Sequence, residues 1–175
     1  MPDYQRAPVA GATYFFTLAL ADRRSGLLVS HIEALRLAYR RARDLHPFAT
    51  VAICVMPDHL HAIWRLPQGD ADFALRWRVI KSGFSRQFAA DSRRSPSKIR
   101  RREKGIWQRR YWEHQIRDAV DLQRHVDYIH YNPVKHGHAK QVRDWSFSSF
   151  HHYVALGHYP EDWGGKGRGN GGCGE

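Results

Sequence analysis

The sequence predicts an α+β fold in which helices pack on an antiparallel sheet. Segments of β-branched and aromatic residues alternate with segments whose apolar residues recur every three or four positions. Their order is strand, helix, two strands, helix, strand, helix. The two middle strands are separated only by Pro57-Asp58, which makes them a hairpin. At 175 residues the chain is long enough to bury a substantial core.

Thr13 to Leu20 opens with aromatic and β-branched residues and reads as the first strand. Ser30 is expected to cap a helix running to about His46, with Ile32, Leu35, Ala38, Ala42 and Leu45 forming its buried stripe. Phe48 to Met56 and His59 to Leu66 are the hairpin strands. Asp70 or Asp72 starts a second helix that reaches about Ala89. Its row of Phe73, Trp77, Ile80, Phe84 and Phe88 is better explained by core packing than by stacking on bases. Asp91 to Lys104 reads as a polar, basic loop, and Ile106 to Ile116 as one or two short strands.

Asp118 can cap a third helix from Ala119 to Tyr131, with Ala119, Leu122, Val126 and Ile129 inward and Pro133 and Gly137 ending it. Trp145, Phe147, Phe150 and Tyr153 mark an ordered extension, so residues 1–163 form a single domain. The glycine-rich residues 164–175 are expected to be a disordered tail. A ferredoxin-like arrangement with the hairpin near the sheet centre is the simplest that fits.

The net charge of +11 raises the expectation of a polyanionic partner, nucleic acid first among them. Cys54 sits in an apolar run and Cys173 in the glycine tail. They form neither a metal-type pair nor a disulfide framework, which suits a reducing cytoplasm. No apolar run approaches the roughly 20 residues of a membrane span.

Two local patterns carry chemistry. His59 and His61 lie two apart on a strand, so both imidazoles point to one face and can share a divalent cation, leaving positions for substrate oxygens. A barrel amidohydrolase does not fit this length, and a zinc deaminase would need a C-x-x-C pair that is absent. The second pattern is Tyr128-Ile129-His130-Tyr131-Asn132-Pro133-Val134-Lys135. Tyr128 and Asn132 are neighbours on one helix face, offering a nucleophilic hydroxyl and a neutral oxygen ligand. By spacing alone, a packed tyrosine and a helix-ending Asn-Pro are the more ordinary reading, and Tyr131 and Tyr111 are lesser candidates for the nucleophile.

Taken with Thr13-Tyr14-Phe15-Phe16-Thr17, Val55-Met56-Pro57-Asp58-His59-Leu60-His61, Ile106-Trp107-Gln108-Arg109-Arg110 and Asp144-Trp145-Ser146-Phe147-Ser148-Ser149-Phe150, the tyrosine helix completes five separated motifs. From about Thr13 to Tyr153 the chain resembles the REP-associated tyrosine transposases, a branch of the single-tyrosine HUH transposases. His138 stands where relatives often carry an apolar residue.

The resemblance implies an HUH endonuclease fold with the histidine strand central, metal ligation by His59, His61 and Asn132, and Tyr128 as nucleophile. It further implies Mg²⁺ or Mn²⁺ as cofactor, a 5′-phosphotyrosine intermediate, and single-stranded DNA with hairpin-forming repeats as substrate. A monomer or a homodimer would serve, with no membrane partner. Arg109, Arg110 and Lys135 are candidate DNA contacts because they lie in the shared motifs. Arg101 and Arg102 belong to a basic run with Arg93, Arg94, Lys98, Arg100 and Lys104, which on charge reads as a backbone clamp for DNA or equally well as a solvated loop. No G-x-x-x-x-G-K-[ST] loop is present, in keeping with a transesterification that needs no ATP. A DNA-hairpin-binding descendant without catalysis is the alternative, and the four site residues together argue against it. A replication or transfer nuclease of the same chemistry is disfavoured by the short chain.

Overall fold

The computed structural model describes residues 8–91 and 93–165. The expected tail therefore lies outside the described residues from position 166 onward, Cys173 included. The strands are β1 (Thr13–Ala19), β2 (Ala49–Val55), β3 (His59–Arg65) and β4 (Trp112–Gln115). They form one antiparallel sheet in the order β2-β3-β1-β4. The helices are α1 (Leu27–Ser30), α2 (Ile32–Leu45), α3 (Phe73–Ser85), α4 (Pro96–Arg100), α5 (Ala119–Lys135) and α6 (Phe150–Ala155), with a 3₁₀ turn at Val142–Asp144. No described helix is long and apolar enough to cross a membrane.

Strand alternation sends side chains to two separate cores. Phe16 and Leu18 of β1 join Leu60, Ala62 and Trp64 of β3 under α2 and α3. Phe15 and Ile63 join Val126 and Ile129 of α5 and Phe150 of the extension on the other face. β1 and β3 are thus covered on both sides, and both are central. The hairpin is placed differently from the expectation, since β2 is an edge strand. Its open side is capped by the extension: Val55 N–H donates to the Phe147 carbonyl (2.8 Å) and Ser149 N–H to the Ile53 carbonyl (2.8 Å). That pairing removes one of the two exposed sheet edges.

Several local expectations are corrected. Ser30 does not cap α2. It ends α1, where its hydroxyl donates back to the Gly26 carbonyl (3.0 Å), and His31 stands at the α2 N-terminus without a side-chain cap. Leu45 and Ala119 lie on exposed faces because each sits in a terminal turn beyond the sheet. The basic loop contains α4, capped by Ser95 accepting from Lys98 N–H. Pro133 lies inside α5 rather than ending it. The helix continues to Lys135, and Gly137 (φ 73°) closes it while His138 N–H donates to the Pro133 carbonyl (2.8 Å). Asp72 and Asp118 cap α3 and α5 as expected, accepting from Leu75 N–H (2.8 Å) and Asp121 N–H (2.8 Å).

One buried cation staples the first layer together. Arg76 on α3 is 1% exposed. Its guanidinium donates to the carbonyls of His46, Pro47 and Asp72 and to both carboxylate oxygens of Asp70. All five N–H donors are used. Arg76→Met should keep the volume and orphan those acceptors, lowering stability in a urea titration by about 3 kcal/mol.

Candidate active site

The pleat of β3 and the register of the sheet place the two histidines on the α5 face. His59 pairs with Ala19, and His61 with Thr17 on one side and Cys54 on the other. Both imidazoles are buried, 4% and 3% exposed, and their ring centroids are 5.0 Å apart. Each ring has its Nδ1 held by an oxygen. His61 Nδ1 bonds the Thr17 hydroxyl at 2.8 Å, and His59 Nδ1 bonds Asp58 at 2.7 Å. Asp58 is in turn gripped by Arg23 at 2.5 Å. Burial works to raise the Asp58 pKa, but the His59 hydrogen bond and the Arg23 charge outweigh it and hold the group ionised. Holding one ring nitrogen orients the imidazole and leaves the other nitrogen as the ligand, an arrangement typical of metal-binding histidines.

α5 crosses this face and brings its own residues in. Tyr128 packs edge-on against His61, with centroids 5.2 Å apart, and against Phe15 at 6.0 Å. Asn132, one turn on, is fully buried at 0% exposure. Lys135 lies with Nζ 4.9 Å from the Tyr128 ring centroid, and His136 approaches His59 with centroids 5.3 Å apart.

Three polar side-chain atoms in this group are unsatisfied. His61 Nε2 and both amide atoms of Asn132 are buried with no hydrogen-bond partner. Orphaned buried polar groups cost free energy and are rare, so these three call for an explanation. An imidazole nitrogen and an amide oxygen suit a divalent cation. Burial, then the neighbouring His59, His136 and Lys135, drive the His61 pKa well below its ordinary value, with a small opposing effect from the Asn132 amide. The ring therefore stays neutral, as a ligand must be.

The two competing tyrosines are elsewhere. Tyr111 packs against the α2–α3 core on the opposite sheet face, where burial pushes its pKa up. Tyr131 turns away toward the extension and meets Trp163 at 6.5 Å.

No family model matches the chain. Individual relatives do. A REP-associated tyrosine transposase of Escherichia coli (strain K12) is 47% identical over 165 residues, covering 94% of this chain and 92% of that protein. A Haemophilus influenzae relative of the same family name is 48% identical over 167 residues, covering 95% of each. The chain belongs to the REP-associated tyrosine transposases. A solved structure of such a tyrosine transposase bound to a REP hairpin superposes on it with a TM-score of 0.81 at 46% identity, covering 95% of this chain and 93% of that one.

In this transposase the expected DNA contacts fall into two groups. Lys135 joins the histidine and tyrosine cluster. Arg101, Arg102 and Arg109 instead line a cleft of about 590 Å³ between α3 and the segment before β4, on the α2–α3 side of the sheet. Arg109 is also paired with Glu103 at 3.2 Å. Arg110 is exposed beside β4. Other cations of the basic run are committed to the fold: Lys104 donates to the carbonyls of Arg86 and Phe88, and Arg94 to those of Asp91 and Glu103.

One network escaped sequence reasoning. His114 of β4 and His125 of α5 stack at 4.7 Å and both reach Asp121, at 2.9 and 3.2 Å. These three side chains are close enough to surround a cation. However, Asp121 already accepts from the Arg117 backbone (3.0 Å) and guanidinium (3.3 Å), and His125 Nδ1 also bonds the Asp121 carbonyl (2.8 Å). A group neutralised by an arginine is a poor cation ligand, and the network instead ties β4 to the first turn of α5. Only the Asp121–His125 spacing of four was visible in the sequence.

Burial opposes ionisation of Asp121, but the His114 and Arg117 bonds outweigh it and depress its pKa below the ordinary 3.8. A depressed carboxylate stabilises the fold at pH values above its unfolded pKa, and that contribution drains away as pH falls through the folded value. Asp121→Asn should therefore cost about 1–3 kcal/mol at neutral pH, with the gap to wild type closing in acid. Urea titrations across pH would show it.

Proposed function

We propose that this transposase cuts and rejoins single-stranded DNA beside hairpin-forming repeats, with Tyr128 as the nucleophile. The observation that carries the reading is that His61 Nε2 and the Asn132 amide atoms are buried without partners while the Tyr128 ring packs against His61. Kinship to a REP-associated tyrosine transposase solved with a REP hairpin supports the choice of substrate.

The phenolic oxygen of Tyr128 attacks phosphorus, a Tyr–O–P bond forms, and the P–O3′ bond breaks. The tyrosine proton leaves as the 3′ oxygen gains one, giving a 5′-phosphotyrosine and a free 3′-hydroxyl. One phosphoester replaces another, so the reverse step can join a new 3′ end without ATP. An ordinary tyrosine pKa is about 10, so negative charge at the phenol needs local support. Lys135, whose ammonium lies 4.9 Å from the ring centroid, supplies a cation there. His59, His61 and Asn132 would hold Mg²⁺ or Mn²⁺. When bound, the ion polarises the scissile phosphoryl group and offsets its developing charge. The residues Thr17, Asp58 and Arg23 keep both imidazoles aimed. Action in the cytoplasm, on hairpin-forming repeats, fits this chemistry.

The test is incubation of the protein with labelled hairpin DNA carrying single-stranded flanks, with and without Mn²⁺, followed by a denaturing gel. A metal-dependent, protease-sensitive adduct is expected. Tight binding with no adduct under any divalent metal would make the protein a hairpin binder only.

A further inference from the structure

Trp112 is the one tryptophan of the six whose ring pairs with no other aromatic among the described residues. It is also 60% exposed, whereas Trp64, Trp77 and Trp107 are buried. A large indole left in water at this extent contributes little to folding, and its location tells what it is for. Trp112 begins the edge strand β4 and pairs in register with Thr17 of β1. Thr17 pairs with His61 of β3 and bonds its Nδ1 at 2.8 Å. Residues alternate along β4, and His114, two positions on, reaches Asp121 of α5. Trp112 therefore stands on the same sheet face as His61 and Tyr128. Two strand spacings, roughly 10 Å, separate its backbone from that of His61. α5 covers His61 with Tyr128 but leaves the indole open. Arg110, exposed two residues earlier, has no carboxylate partner among the described residues.

We propose that Trp112 is a stacking platform for a base of the single-stranded DNA that flanks the scissile phosphodiester. The proposal rests on the DNA-cutting reading of the His59, His61, Asn132 and Tyr128 cluster and adds to it the surface that holds the adjoining strand. A polyanionic strand whose phosphate lies at His61 runs past β1 toward the open edge of the sheet. There an exposed aromatic ring is followed back along the chain, two residues earlier, by the exposed Arg110, groups that suit a base and a phosphate. An acidic peptide would satisfy Arg110 but would make no use of a bare indole face. Stacking of this kind accepts any base, so Trp112 positions the strand rather than reading its sequence.

The decisive experiment measures binding by itself. The full-length protein is titrated, in EDTA, with fluorescein-labelled hairpin oligonucleotides in which each flanking nucleotide in turn is made abasic. For wild type, one flank position should weaken binding by ~5- to 150-fold when its base is removed. Trp112→Ala should lose a similar factor on the intact oligonucleotide and become indifferent to the base at that position. Trp112→Phe should recover most of the loss. An unchanged affinity in Trp112→Ala, or abasic losses that add undiminished to that of the variant, would overturn the proposal. A cleavage assay with Mn²⁺ runs beside it. Base coupling to Trp112 without cleavage would sustain the platform and sink the nuclease reading, while cleavage without coupling would do the reverse. Because the indole is exposed, thermal melting of Trp112→Ala should match wild type.

Discussion

Tyr128→Phe is expected to abolish the covalent DNA adduct and to reduce strand cleavage by at least ~10³-fold, with hairpin affinity nearly unchanged. The substitution removes a single oxygen. The ring keeps its edge contact with His61 and Phe15, and Lys135 keeps its place over the ring face, so the pocket should retain its shape. Lost activity with intact binding would then report the missing nucleophile rather than a disturbed fold. Tyr131→Phe is the matched control. Its ring packs toward Trp163 and the extension, and the adduct should survive. An adduct that persists in Tyr128→Phe and vanishes in Tyr131→Phe would move the chemistry to the other tyrosine.

His61→Ala is expected to lose Mn²⁺ binding and to lower cleavage by ~10²- to 10³-fold. His61 is the best supported of the three candidate ligands: it is buried, kept neutral, oriented by Thr17, and left with an unpartnered Nε2. The direct measurement is manganese binding by electron paramagnetic resonance, accompanied by thermal melting. A cation that binds the folded state raises the melting temperature by mass action. Wild type should show that rise and His61→Ala should not. Asn132→Ala should show a partial loss of the same shift, since a neutral amide oxygen contributes less than an imidazole. Equal metal-induced shifts in wild type and His61→Ala would place the ion elsewhere, with the His114, Asp121 and His125 group the first to examine.

The parts of the fold that were legible in advance were those with strong periodicity. The stripe of Phe73, Trp77, Ile80 and Phe84 repeats at helical spacing, and all four are buried under the sheet. The H-x-H pair needed only the two-residue repeat of a strand to share a face. What failed was local and depended on contacts. Ser30 looked like a cap, but α1 intervenes and engages its hydroxyl. Pro133 looked like a terminator, yet a proline near the end of a helix removes only one N–H, and α5 continues for another two residues, to Lys135. Net charge pointed to a polyanionic partner but did not say which cations are free to meet it. Lys104 and Arg94 belong to a run that reads as a DNA clamp, but their hydrogen bonds go to backbone carbonyls that no local pattern reveals.

The candidate site divides along the same line. Sequence by itself determined which chemistry is at hand: two imidazoles on one strand face, a phenol and an amide four residues apart on one helix face, and motifs shared with a transposase family. Those properties follow from periods of two and 3.6, which are local. Only the tertiary structure decided that α5 lies across the histidine face rather than the α2–α3 face. It also decided that Thr17, from a strand 44 residues away, orients His61, and that Trp112 stays bare at the open edge of the same surface. Strand order and layer assignment arise from burying both faces of β1 and β3 at once, a condition on the whole chain that no single segment encodes.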